Sequence, residues 1–161
     1  MQLSYDQYNL PLQLGNIYDT SLRQIDSFLA QGAVGIAKAV VLGTTKEGAS
    51  NRGQVVQAGT GVGQGALITG ISILTQTLET GANGLVQYAD KDTVSVMTKG
   101  RVVVMTNDAV VAGSVANFVL ANGTWTDEVV ATGIEATVLV KVRFITSTSA
   151  AGLAAVEVTK Q

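Results

Sequence analysis

The chain has 161 residues, no cysteine and no histidine, and a formal net charge of −2 from 10 basic and 12 acidic residues. That composition excludes a disulfide framework, a thiolate nucleophile, a sulfur-ligated metal and every Ser-His or Cys-His dyad, and the singly scattered basic residues give no electrostatic reason to bind nucleic acid. Charged residues make up only 14% of the chain, against roughly 25% in an average soluble domain, so the sequence describes a subunit that hides part of its surface in an assembly.

Residues 1–18, MQLSYDQYNLPLQLGNIY, hold Tyr5, Tyr8 and Tyr18 and the only proline, Pro11. Leu10, Leu12 and Leu14 alternate with Pro11 and Gln13, and proline biases its predecessor away from helix, so an extended N-terminal arm is expected. Tyrosine and leucine at this density predict docking onto another surface, because solvated tails are poor in both. The start lacks a basic stretch followed by an apolar one, and no run approaches about 18 apolar residues, so neither an export signal nor a membrane span is expected.

Residues 19–31, DTSLRQIDSFLAQ, read as one short helix. Leu22, Ile25, Phe28 and Leu29 share a helical face, Ser21 and Gln24 are spaced as a capping box, and Gly32 supplies a stop. From Gly35 onward the period changes to two, with Val, Ile and Thr clusters cut by Gly, Asn and Asp. Strands are expected at 37–42, 53–58, 66–77, 85–88, 93–98, 101–106, 114–121, 124–128, 135–145 and 154–159. Turns are expected at Asn83-Gly84, Asp90-Lys91-Asp92, Lys99-Gly100, Asn107-Asp108 and Asn122-Gly123, the last being the strongest hairpin signal. The fold expected for residues 19–161 is mainly β, a single antiparallel β-barrel or sandwich domain with the extended N-terminal arm and the short helix attached.

Three features invite a chemical reading. GTGVGQGALITG, residues 59–70, contains the glycine spacing of a dinucleotide loop, but a β-branched run (Ile68, Thr69, Ile71, Ile73) follows where a helix is required. Gly59, Gly61, Gly63 and Gly65 instead leave one face bare, for the barrel's own backbone or a neighbour's. The carboxylates Asp90, Asp92, Asp108, Asp127 and Glu128 sit among turn residues, where Asp commonly bonds its own backbone. Trp125 follows the Asn-Gly turn and is expected in the core, the alternative being an exposed platform for a sugar ring.

The ordered series from IDSFLAQGAVGIAKAVVLG through GALITGISI and LVQYADKDTVSVMTKGRVVVMTNDAVVAGSVANFVLANGTW to STSAAGLAAVEV resembles the tailed-bacteriophage capsid cement or head decoration proteins. Val94, Val96, Gly100, Val102, Val104, Val110, Gly113, Val115 and Gly123 fall on the family's Val and Gly pattern. The proline that family members carry near GAVGIAKAVVLG is absent. The resemblance implies a non-enzymatic, cofactor-free virion protein, a homotrimer on the outer capsid surface that ties major capsid protein subunits together after assembly in the host cytoplasm, with no nucleic-acid or membrane partner. The arm residues Tyr5, Tyr8, Leu10, Leu12 and Leu14 are the expected capsid or subunit contacts, made by strand addition. Two other readings stand beside it: a carbohydrate- or host-surface-binding virion module using Trp125, and a hydrolase using Asp127 or Glu128.

Overall fold

A computed structural model describes residues 12–20, 22–43, 54–57, 68–75, 84, 86–128 and 140–160. The described residues form eleven strands: β1 (Gln24–Ala30), β2 (Val34–Gly35), β3 (Ala39–Leu42), β4 (Gln54–Gln57), β5 (Ile68–Ser72), β6 (Gln87–Tyr88), β7 (Thr93–Met105), β8 (Asn117–Val119), β9 (Thr124–Thr126), β10 (Val140–Phe144) and β11 (Leu153–Lys160). Seven of them make one sheet in the order β1-β4-β3-β5-β7-β11-β10, with β1 also paired to β7. The sheet therefore curls into a half-barrel whose first five strands return on themselves, and β11 and β10 extend from it. All its pairings are antiparallel except β1 with β4. The mainly β expectation holds.

Period-two alternation decides which side chains enter the core. On β10, Val142 and Phe144 are buried while Lys141 and Arg143 are exposed; on β11, Ala154, Val156 and Val158 join the same cluster. Val94, Val96, Val102 and Val104 of β7 meet Val40, Ile68, Ile71, Phe118 and Trp125 there. Gly70 lies where β5 crosses β7, and a methyl group at that position would overlap Met97 O and Val96 Cγ1. The glycine that interrupts the Ile-rich run therefore leaves room for the neighbouring strand.

Two sequence expectations are overturned. The segment expected as a helix over 19–31 contains β1, which pairs antiparallel with β7 from Ile25↔Met97 to Leu29↔Thr93, and no described residue is helical. Leu22, one of the four face residues, is 78% exposed. A three-turn helix has little stability of its own, so an open edge on β7 outweighs the local periodicity.

Lys99-Gly100 is the second correction, because it joins no hairpin. β7 runs through it as one 13-residue strand. Just before it the register on β1 steps from Gln24↔Lys99 to Ile25↔Met97, which leaves Thr98 as the extra residue of a bulge, and Gly100 has φ +129. Beyond it β7 pairs with β11, from Val158↔Gly100 to Leu153↔Met105.

Asn122-Gly123 does close a hairpin, with the register Phe118↔Trp125 and Val119↔Thr124. Its loop has four residues, 120–123, and Gly123 N donates to Val119 O at 2.8 Å.

Candidate functional site

Residues 12–20 follow β7 without being part of a named strand. Gly15 N donates to Val103 O at 2.8 Å, Val103 N to Asn16 O at 3.0 Å, and Tyr18 N to Arg101 O at 2.9 Å. On the other side Leu74 N donates to Gly15 O at 2.9 Å. Gly15 has φ +76, and a Cβ there would overlap Ile36 Cγ2 and stand 3.0 Å from Leu74 N. Only glycine satisfies both the left-handed backbone and the lack of space. The Gly15-Asn16 pair is a turn signal that the alternating leucines obscured.

A charged cluster holds the same segment from outside. Arg101 Nη1 lies 2.6 Å from Asp19 Oδ2, and its Nε lies 3.1 Å from Glu157 Oε1. Hydrogen bonds to the two carboxylates raise the guanidinium's pKa further above its ordinary range. The three residues come from the N-terminal segment, β7 and β11, so the cluster ties that segment to two strands of the sheet.

Beside this root lies a cleft of about 410 Å³, lined by Gln13, Leu14, Gly35, Ile36, Lys38, Leu74, Val86 and Gln87. Burial lowers the pKa of Lys38, and its amine donates to Gly123 O at 2.5 Å. Sequence reading missed Lys38, whose single charge in an apolar run was its only signal.

Of the five expected contact residues, Tyr5, Tyr8 and Leu10 lie outside the described residues. Leu12 is exposed at 38%, whereas Leu14 packs partly buried against the core. Tyr18 and Leu22 add exposed apolar surface on the stretch that leads from the root into β1.

Trp125 is fully buried; its Nε1–H donates to Ala37 O at 3.0 Å, and its ring meets Phe118 edge-on at 5.0 Å. It offers no face to a sugar, which corrects the platform reading. The turn carboxylates serve main chain and hydroxyls. Asp90 Oδ1 accepts from Gly32 N at 2.7 Å, Asp92 Oδ2 from Ala89 N at 2.8 Å, and Asp127 Oδ2 from Val111 N at 2.9 Å and Ser114 Oγ at 3.2 Å. Asp108 accepts Thr126 Oγ1 on both oxygens at 3.1 Å. The glycines at 59, 61, 63 and 65 lie outside the described residues.

A family model described as structural cement protein (E217 gp24/Pam3 gp6), a phage family, matches residues 1–159. No curated protein sequence matches. Among solved structures, a chain from the capsid of Myoviridae phage XM1 is similar with a TM-score of 0.66, over 96% of this chain and 97% of that one, at 19% identity. The head fibre gp8.5 N base of bacteriophage phi29 gives a TM-score of 0.48 at 7% identity, over 87% of this chain and 98% of that one. At 19% identity the likeness to the XM1 capsid chain is one of fold.

Proposed function

The chain belongs to the structural cement protein family of phages, and from that premise we propose that it is a non-enzymatic virion protein that decorates the outer capsid surface and ties neighbouring major capsid protein subunits together through its N-terminal arm. In this reading it acts as a homotrimer, needs no cofactor, and joins the shell in the host cytoplasm. The observation that carries the reading is the clamped root at Gly15–Tyr18. A segment that transmits load between a lattice and a β body must be fastened at the body end, and here main-chain bonds and the Arg101 cluster fasten it.

Tyr5, Tyr8, Leu10 and Leu12 precede that root and supply the aromatic and aliphatic side chains that anchor interfaces. Main-chain pairing along a neighbour's strand edge would add affinity without further side chains. Leu14 has a different part, closing the cleft against the body. The experiment is co-sedimentation with capsid shells lacking the protein. Deletion of residues 1–11 should leave a β-rich, cooperatively melting protein that stays in the supernatant; shell occupancy equal to the full chain would refute the arm's role.

A further inference from the structure

The loop between β8 and β9 carries Asn122-Gly123, with Asn122 exposed and Gly123 buried. Asparagine before glycine is the pair in which the following amide nitrogen most readily attacks the side-chain carbonyl, because glycine has no Cβ to obstruct the approach. In this loop each participating group is otherwise engaged. The Gly123 N–H, whose nitrogen would be the nucleophile, donates to Val119 O at 2.8 Å. The leaving group, Asn122 Nδ2, donates to Asn107 Oδ1 at 2.8 Å. Asn122 Oδ1 accepts from Thr124 N at 3.2 Å and from Thr124 Oγ1 at 2.5 Å, which holds the side chain over its own turn. Lys38 Nζ holds Gly123 O from the body side.

We propose that Asn122 is a latent deamidation site, held unreactive by the folded loop and released when the hairpin opens. In the reaction the Gly123 nitrogen bonds to Asn122 Cγ and the Cγ–Nδ2 bond breaks. Nδ2 leaves as ammonia, taking the proton that the Gly123 nitrogen gives up. Water then opens the succinimide at one of its two carbonyls, leaving aspartate or isoaspartate at position 122. Isoaspartate lengthens the main chain by one methylene at position 122, inside the turn that the Gly123 N–H to Val119 O bond closes, so that bond and the Lys38 contact at Gly123 O cannot both keep their present geometry. Trp125 lies two residues beyond Gly123 and is packed in the core, so the disturbance reaches the interior. The site is thus a chemical record of how often this end of the barrel opens.

The test compares the intact protein with a synthetic peptide of residues 116–128 during incubation in mildly alkaline buffer, followed by tryptic digestion and fragment mass spectrometry. Trypsin releases residues 102–141 as one piece, because no Lys or Arg lies between Arg101 and Lys141. Conversion at Asn122 should be at least about tenfold slower in the folded protein, since attack waits on local opening. Asn107→Ala and Thr124→Val should each speed it severalfold while the β-sheet circular dichroism is unchanged. Exchange of the Gly123 amide on the wild-type protein gives a second measure, and its protection should parallel the slowing. Equal rates in protein and peptide, an unprotected Gly123 amide, or folded variants that convert no faster than wild type would each overturn the proposal.

Discussion

Replacing Gly15 with alanine tests the root most directly, because one methyl group meets two separate obstacles. The left-handed backbone at φ +76 costs a non-glycine residue about 1–2 kcal/mol. The contact with Ile36 Cγ2 and the approach of 3.0 Å to Leu74 N add an overpacking cost of about 1–3 kcal/mol. The protein can escape this strain by releasing the root. Doing so gives up the bonds of Gly15 N, Val103 N, Tyr18 N and Leu74 N, each of which contributes about 0.5–1.5 kcal/mol.

Strain and release are thus of similar size, and a loss near 3 kcal/mol is expected by either route. For a chain of this length that lowers the melting temperature by about 6–12 °C. Gly32→Ala is the control. Its φ is +84, but nothing lies within 4 Å of the added carbon, so only the backbone cost applies. Denaturant melts of both variants, with hydrogen exchange at the Val103 and Leu74 amides, separate the outcomes. If Gly15→Ala is no more destabilising than Gly32→Ala and those amides stay protected, the close-packed root is refuted.

Other predictions concern side chains. Trp125→Ala should destabilise by about 3–5 kcal/mol, while Trp125→Phe, which orphans the Ala37 carbonyl, should cost about 1–3 kcal/mol; urea melts measure both, and a neutral Trp125→Ala would contradict the burial. For Lys38 the folded pKa lies below the ordinary 10.5, so the unfolded chain binds the proton more tightly and folding is penalised while the amine is charged. The stability of wild type relative to Lys38→Met should therefore rise as pH climbs through the folded pKa toward 10.5, and a flat difference across that range would sink the argument. Arg101→Ala should loosen the Asp19 segment at low ionic strength, seen as faster exchange of the Tyr18 amide. The difference from wild type should shrink in high salt, because the ion pairs are partly exposed.

The carboxylates show how local chemistry can be read along the chain. Asp92 accepts the short-range turn bond that its neighbours suggested, from Ala89 N, whereas Asp90 and Asp127 accept from Gly32 N and Val111 N, which are distant in the chain; Trp125 is buried as its size and the adjacent hairpin implied. Tyr5, Tyr8 and Leu10 lie outside the described residues. Leu12 and Leu14 look equivalent in the sequence, yet one is exposed and the other packs on the core. That difference depends on where Gly15 turns the chain against Ile36 and Leu74, residues more than twenty positions away.

Residue pattern alone determined a mainly β body, the location of most strands and the absence of His- or Cys-based chemistry, because alternation, turn residues and composition are local properties of the chain. Tertiary structure decided that residues 24–30 are a strand, that Lys99-Gly100 lies inside one long strand beside a bulge at Thr98, and that residues 15–18 are fastened to the body. Each of these depends on the edges of β7. An apolar stretch with helical spacing, a Gly turn signal and an alternating leucine run keep their local preferences only until a nearby strand offers unpaired N–H and C=O groups. The hydrogen bonds then made across the sheet outweigh propensities of a few tenths of a kcal/mol per residue.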